Sequence, residues 1–69
     1  MSNLFAVKSY KDSIFRGEID ASMRNGMGVI EYNNSRVYEG EWKDDKRHGM
    51  GYERFSNQNV YQGEYKEGK

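Results

Sequence analysis

The sequence predicts an all-β fold, a single-layer antiparallel meander of consecutive β-hairpins with one hairpin for each 23-residue repeat. Three observations predict this fold. The chain matches itself when it is shifted by 23 residues, aromatic residues and glycines alternate with charged residues inside each copy, and polar clusters separate the alternating runs. A period of two places successive side chains on opposite faces of a strand, and such polar clusters are typical of turns.

The repeat consists of an aromatic-x-Gly-x-aromatic segment, a polar stretch, a Gly-x-Gly pair and a further aromatic residue. Residues 38–42, Tyr-Glu-Gly-Glu-Trp, align with residues 15–19 and 61–65, and residues 47–51 align with residues 24–28. So many matches at one offset are the signature of a repeat architecture. The chain is therefore divided into an N-terminal capping segment, 1–14, two repeats, 15–37 and 38–60, and a partial third repeat, 61–69.

This pattern resembles the MORN (membrane occupation and recognition nexus) repeat, whose consensus reads Tyr-x-Gly-x-Trp-x-x-Gly-x-x-x-Gly-x-Gly. The resemblance covers about residues 14–69. The usual loop glycine of the family is replaced by Ser22 and Asp45 and is kept at Gly68, and Ile19 replaces the usual aromatic residue of the first copy. The resemblance implies a module that organises cytoskeletal, ciliary or membrane-contact assemblies.

The two ends of the chain depart from the repeat. Leu4, Phe5, Val7 and Tyr10 fit an initial strand that caps the array, with a short helix as the alternative. The third copy stops after one strand, which predicts an unpaired sheet edge. We expect a continuation of the chain, a partner or a second copy to pair with that edge.

The central copy predicts which residues share a face. Tyr38 and Trp42 fall on one face of the first strand with the glycine between them, and Glu39 and Glu41 fall on the other face. In the next run, 49–55, one face carries Gly49, Gly51, Glu53 and Phe55, and the other carries Met50, Tyr52 and Arg54. The predicted turns are residues 43–48 and residues 56–59.

The recurrent glycines predict a register for the sheet. If Trp42 pairs with Gly49, then Gly40 pairs with Gly51, and a tight turn before Tyr38 sets Trp42 opposite Gly28. The indole would then cover bare backbone on both neighbouring strands. The alternative is that the glycines merely mark turns, and their alternation with aromatic residues argues against it.

One face of the sheet is predicted to collect the aromatic side chains. A single-layer sheet has no second layer to cover them, so this face should curl on itself or bind a partner. The alternative is that the rings only cover the glycines and form the module's own thin core. The predicted partner-binding face consists of Phe15, Tyr32, Tyr38, Trp42, Phe55, Tyr61 and Tyr65.

The sequence shows no motif for catalysis or for binding a cofactor. There is no cysteine and one histidine, His48, which leaves little scope for a metal site. The Gly-x-Gly pairs lack the third glycine of a dinucleotide fingerprint. The recurring Glu18, Glu41 and Glu64 are predicted to face solvent and to pair with arginine or lysine across strands. We therefore expect no catalytic residue, no cofactor and no metal, and hence no enzyme.

Composition narrows the expected partners. The chain has 11 basic and 11 acidic residues, a balance that argues against nucleic-acid binding. No apolar run is long enough to span a bilayer, and no signal peptide is evident, which favours the cytoplasm. We expect a scaffold that binds a protein partner or a second copy, associated with the cytoskeleton, a cilium or a membrane.

Two alternatives to the scaffold stay open. The chain could be an accessory module of a larger enzyme, or it could bind an anionic membrane through basic residues at the loop ends. Acidic residues in the same loops, Asp20, Asp44 and Asp45, would offset much of that attraction. The candidate phospholipid contacts are Arg24, Lys43, Lys46 and Arg47.

Overall fold

The computed structural model describes residues 4–68, which form one six-stranded antiparallel sheet whose strands follow chain order. This confirms the predicted all-β meander. Residues 1–3 of the predicted capping segment and residue 69 of the third copy lie outside the described residues. No helix within residues 4–68 is long and apolar enough to cross a membrane. The strands are β1 (Leu4–Ser9), β2 (Ser13–Asp20), β3 (Met23–Tyr32), β4 (Val37–Lys43), β5 (Lys46–Arg54) and β6 (Val60–Tyr65).

The strands combine into two complete hairpins, β2–β3 and β4–β5, with β1 before them and β6 after them. The leading segment is a strand and not the alternative short helix, and Ala6 lies opposite Gly17 in its pairing with β2. Within residues 4–68, no strand pairs with the outer edge of β6.

The loop predicted over residues 43–48 is wrong in length, because the hairpin turns in two residues. Asp44 and Asp45 have φ values of 50° and 71°, and β5 begins directly after them. A two-residue turn with both φ values positive matches the twist of antiparallel strands, so the ladder continues through Arg47 and His48. The turn predicted at residues 56–59 is present, with Gln58 in the left-handed conformation.

The first hairpin uses the same turn without a glycine, and this predicts a stabilising substitution. Ala21 and Ser22 have φ values of 51° and 67°. A left-handed conformation is unfavourable by about 1–2 kcal/mol for a residue with a Cβ, and glycine avoids this strain. Part of the resulting gain in stability is lost, because glycine has more conformational freedom in the unfolded chain. We expect Ser22→Gly to raise the free energy of unfolding by about 0.5 kcal/mol, measured by urea denaturation.

The control for this substitution is Ser9→Gly, which puts glycine into the extended strand β1. Glycine weakens a strand, so this variant should unfold at a lower urea concentration than the wild type. If Ser22→Gly shifted the midpoint downwards as Ser9→Gly does, the turn would not be strained.

The register agrees with the prediction at the glycines and departs from it at Trp42. Gly40 pairs with Gly51 as predicted, but Trp42 lies opposite Arg47 and not Gly49. The reason is a bulge in β5: the register shifts after the glycine pair, and the Glu41 carboxylate accepts the Met50 N–H at 2.6 Å. Three residues of β5, 48–50, thus face the single residue Glu41.

The pairing of Trp42 on its other side is also shifted. Trp42 lies opposite Gly26 and not Gly28, since the turn between β3 and β4 sets Ile30 opposite Tyr38. That turn is tighter than the predicted pairing of Tyr32 with Tyr38 requires, because Tyr32 N–H donates to the Arg36 carbonyl across it at 2.8 Å. A displacement of two residues keeps the indole on the predicted face.

The core is a thin layer on one face of the sheet. The molecule measures 38 × 25 × 15 Å, so its thinnest dimension has room for the sheet and its own side chains. We call this side the aromatic face. Its buried hydrophobic residues are Phe15, Ile30, Tyr38, Trp42 and Tyr65.

Candidate functional site

The rings of the aromatic face form a continuous edge-to-face series. Ring centroids are 5.3 Å apart for Phe15 and Trp42, 5.2 Å for Trp42 and Tyr38, and 5.0 Å for Tyr38 and Tyr65. Tyr61 continues the series at 5.4 Å from Tyr65. Such pairs contribute about 0.5–1.5 kcal/mol each beyond the burial of their surface. The face therefore packs on itself.

Because the rings pack against one another, most of the predicted partner-binding aromatic residues have little surface exposed to solvent. Phe15 and Tyr38 are fully buried, and Trp42 and Tyr65 are exposed by 5% and 7%. These four rings have almost no surface left for a partner, so the alternative of a thin internal core describes them. The accessible members of the set are Tyr61, which is 44% exposed, and Tyr32 and Phe55, which are partly buried.

The glycines do seat aromatic rings, but the main ring differs from the predicted one. A Cβ at Gly51 would lie 2.5 Å from the Tyr38 hydroxyl and 2.6 Å from its Cε1, and the Phe15 ring covers Gly28 in the same way. The ring therefore comes from the first aromatic residue of each repeat. Trp42 contributes a hydrogen bond instead, since its Nε1–H donates to the Gly28 carbonyl at 3.1 Å.

Arg24 connects the first repeat to the second. Its guanidinium lies over the Trp42 ring, 4.5 Å from the centroid, and donates to the Asp45 carboxylate from Nε at 2.6 Å. A second bond runs from Nη2 to the Asp45 carbonyl at 2.9 Å. The hydrogen bond from Arg24 holds the pKa of Asp45 below its ordinary value. The cation thus joins a ring to the next turn.

Arg47 takes the same place one repeat later. It lies over the rings of Tyr38 and Tyr65, 5.5 Å and 5.4 Å from their centroids. Its Nη2 donates to the Gly68 carbonyl at 3.1 Å, and the Gly68 N–H donates back to the Arg47 carbonyl at 2.8 Å. Position 68 corresponds to Asp45 in the repeat, so the connection is a repeated structural feature.

Because of these contacts, only two of the four predicted phospholipid contacts are well exposed to solvent. The side chains of Arg24 and Arg47 are 17% and 20% exposed and face the rings. The other two candidates, Lys43 and Lys46, are exposed at the end of the second hairpin, beside Asp44. Two lysines next to an acid form a weaker site for anionic lipid than four free cations would.

A buried carboxylate lies at the edge of the aromatic face. The Glu53 side chain is 3% exposed, and its Oε1 accepts bonds from the Tyr65 hydroxyl at 2.7 Å and from Arg47 Nη1 at 3.1 Å. Arg36 Nε donates to its Oε2. Burial by itself raises the pKa of Glu53, but the hydrogen bonds from Tyr65 and Arg36 outweigh it, so the pKa lies below its ordinary value.

The buried hydroxyls of Tyr38 and Tyr65 are protonated donors at neutral pH. Burial raises the pKa of Tyr38 to about 12, and its hydroxyl donates to the Glu41 carbonyl at 2.9 Å. Burial and the hydrogen bond to Glu53 raise the pKa of Tyr65. Sequence reasoning placed Glu53 on this face and gave it no role. The signal available in the sequence was an acidic residue on a strand face that otherwise carries glycine and aromatic residues.

The opposite side of the sheet carries a row of acids and exposed hydrophobic residues, which we call the methionine face. The pairing sets Met27 opposite Glu41 and Met50 opposite Glu64. Both methionines are 54% exposed. The row crosses all six strands and consists of Phe5, Glu18, Met27, Glu41, Met50 and Glu64.

The repeated glutamates were predicted to pair with basic residues, and for two of them the structure shows a different bond. Glu18 Oε1 accepts the Met27 N–H at 2.6 Å, and Glu41 Oε1 accepts the Met50 N–H at the same distance. Each bulge frees an N–H from the ladder, and a carboxylate on the neighbouring strand satisfies it. These bonds hold the carboxylates in place on the methionine face.

A shallow depression of the methionine face is lined by Met27, Met50 and Tyr52 and opens to solvent. Residues 4–68 contain no group of three or more histidine, aspartate or glutamate side chains that could hold a metal ion.

Comparison with known families agrees with this arrangement. The MORN repeat family matches residues 15–35, 38–60 and 61–69, which is more than half of the chain. No curated protein matches the sequence. MORN repeats occur in modules that interact with proteins and membranes. The repeated hairpins, with an aromatic ring seated on the glycine of the next strand, identify the chain as a member of the MORN repeat family.

Proposed function

We propose that this chain is a non-catalytic protein-interaction module that docks its partner on the methionine face. The observation that carries the proposal is the 54% exposure of both Met27 and Met50 at the centre of the sheet. The sequence predicted that the partner binds the aromatic face, but most of the rings on that face are buried against one another.

The methionine face has the properties of a docking surface. Tyr52, which is 39% exposed, lines the same depression as the two methionines, and Val7 and Val60 on the outer strands of this face are 65% and 53% exposed. Contiguous exposed apolar surface marks interaction sites, and methionine adapts its flexible side chain to a partner's shape. The sheet beneath is rigid because its backbone is paired across six strands.

The internal contacts favour this function over the alternatives. Within the described residues, no buried side-chain nitrogen or oxygen lacks a hydrogen-bond partner, so the Glu53 cluster is a satisfied structural network and not a waiting acid–base pair. The membrane alternative loses Arg24 and Arg47 to the rings and turns that they hold. A cytoskeletal or ciliary scaffold is the setting that we propose from the family.

The test replaces the two central thioethers by small polar groups. We expect Met27→Ser with Met50→Ser to reduce the capture of partners from the native source by about tenfold, because docking residues contribute about 1 kcal/mol or more each. Quantitative mass spectrometry of the captured proteins is the measurement. Both positions are exposed, so the circular dichroism spectrum should be unchanged.

The matched control is Leu4→Ser, which changes a 71% exposed residue that lies opposite Ile19 on the aromatic side of the sheet. This variant should capture the same proteins as the wild type. If the double variant captured them equally well, the partner would bind elsewhere and the proposal would fail.

A further inference from the structure

The methionine face has a charge that the whole chain does not have. The formal net charge of the chain is zero, yet six acids and four bases occupy the strand positions of this face. Arg16 is already paired with Glu31, Nη1 to Oε1 at 2.7 Å. The acids therefore outnumber the bases on this face. The acids are Glu18, Asp20, Glu31, Glu39, Glu41 and Glu64, and the bases are Arg16, Lys43, Lys46 and Arg54.

Three of these carboxylates recur at a regular interval. Glu18, Glu41 and Glu64 occupy the same repeat position on β2, β4 and β6. Neighbouring strands are about 4.8 Å apart, so carboxylates on alternate strands recur at about 10 Å. The strand between each pair contributes an exposed methionine, Met27 on β3 and Met50 on β5.

An α-helix lying across the strands matches this interval. Residues i and i+7 lie on one side of a helix and are about 10.5 Å apart along its axis, and residues i+3 and i+4 lie midway between them. Basic residues at i and i+7 would meet successive glutamates, and apolar residues at i+3 or i+4 would contact the methionine between them.

We propose that the partner segment is a basic amphipathic helix that binds across the strands of the methionine face. The inference rests on the proposed function and adds the chemistry and orientation of the partner. Glu18 and Glu41 each use one oxygen to accept a backbone N–H, and a carboxylate has further lone pairs for an ammonium or guanidinium group.

Charge argues against the other occupants of this face. A second copy presenting the same face would bring glutamates against glutamates, and an anionic membrane would be repelled by them. Lys43 and Lys46 lie opposite each other at the turn end of this face, and Lys43 borders the same depression as Met27 and Glu41, but the acids of the face still outnumber its bases.

The experiment uses designed helical peptides as probes of the whole chain. One peptide carries leucine at the apolar positions and lysine at i and i+7, and the second carries glutamate in place of lysine. Fluorescence anisotropy measures the Kd of each labelled peptide. We expect the lysine peptide to bind and the glutamate peptide to bind at least about tenfold more weakly.

A charge-neutral variant of the chain tests the same contacts from the other side. Glu18→Gln with Glu41→Gln and Glu64→Gln keeps an oxygen for each backbone N–H and removes three charges. We expect the Kd of the lysine peptide to rise about tenfold, since exposed ion pairs contribute a modest amount each. The matched control removes three charges away from this face: Asp12→Asn, Asp44→Asn and Glu67→Gln. It should leave the Kd unchanged.

Each outcome separates this inference from the proposed function. If the two peptides bind equally, or if the triple glutamine variant binds the lysine peptide as the wild type does, the basic helix is wrong. Docking on the methionine face would then still be supported by a loss of partner capture in the variant with Met27→Ser and Met50→Ser. If neither peptide binds while that capture depends on the methionines, the helix alone is overturned. If the capture is independent of the methionines, the proposed function fails with it.

Discussion

Replacement of Gly51 by alanine is expected to lower the free energy of unfolding by about 3 kcal/mol. The new Cβ would lie 2.5–2.8 Å from three atoms of the Tyr38 ring and hydroxyl. Tyr38 is fully buried between Trp42 and Tyr65, so its ring has no free space to move into. Domains of this size have a total stability of only about 3–10 kcal/mol, so a large part of it would be lost.

The matched control is Gly63→Ala, the same change at the glycine that lies directly opposite Gly51 on β6. A Cβ there meets the Tyr61 hydroxyl at 2.7 Å, but Tyr61 is 44% exposed and can rotate towards solvent. We expect a loss below about 1 kcal/mol. Urea denaturation followed by the fluorescence of Trp42 measures both variants. Equal losses would show that the buried ring does not determine the requirement for glycine.

Replacement of Glu53 by alanine is the second large expected effect. It removes the acceptor of the Tyr65 hydroxyl and leaves Arg36 and Arg47 without their carboxylate. Removal of one partner of a buried ion pair costs about 3–5 kcal/mol, and the partial exposure of Arg36 favours the lower end of that range. We expect a loss of about 3 kcal/mol in the free energy of unfolding, measured by urea denaturation. Glu53→Gln retains an acceptor for Tyr65 and should lose less.

The same carboxylate predicts how stability depends on pH. The folded-state pKa of Glu53 is lowered, so its contribution is fully present above the unfolded pKa, about 4.3, and is lost as the pH falls through the folded pKa. Asp45, whose pKa is lowered by Arg24, acts in the same direction, but it is largely exposed. Below about pH 4, wild-type stability should therefore fall more steeply than that of Glu53→Gln. Parallel curves for the two proteins would contradict this role.

The local sequence pattern was sufficient to predict the strands and which of their residues share a face. The alternation of Tyr38, Gly40 and Trp42 with acids requires only that the chain be extended, and the observed burial follows it residue by residue. The 23-residue offset predicts a meander because each copy repeats the same hairpin. The family follows from the same residues.

The register and the turns depended on features that local pattern does not encode. The bulge opposite Glu41 requires a carboxylate on one strand and a free N–H on the next, so it exists only once the strands are paired. The two-residue turn required Asp44 and Asp45 to adopt left-handed conformations, which their side chains allow but do not impose.

The candidate site was the least predictable feature. The sequence predicted an aromatic face, but it could not show that Phe15 and Tyr65, 50 residues apart, become members of one buried cluster. It predicted four basic contacts, but the inward positions of Arg24 and Arg47 depend on rings from other strands.

By itself, the sequence determined the repeat, the strands, the side-chain alternation and the family, because these depend on neighbours within a few residues or on a constant offset. The tertiary structure alone decided which face is buried by its own packing and which face stays exposed. The rings, the arginines and Glu53 satisfy one another across several strands on the aromatic face, whereas Met27 and Met50 have no layer above them. Burial is a property of the assembled sheet, and it moved the candidate site from the aromatic rings to the methionine face.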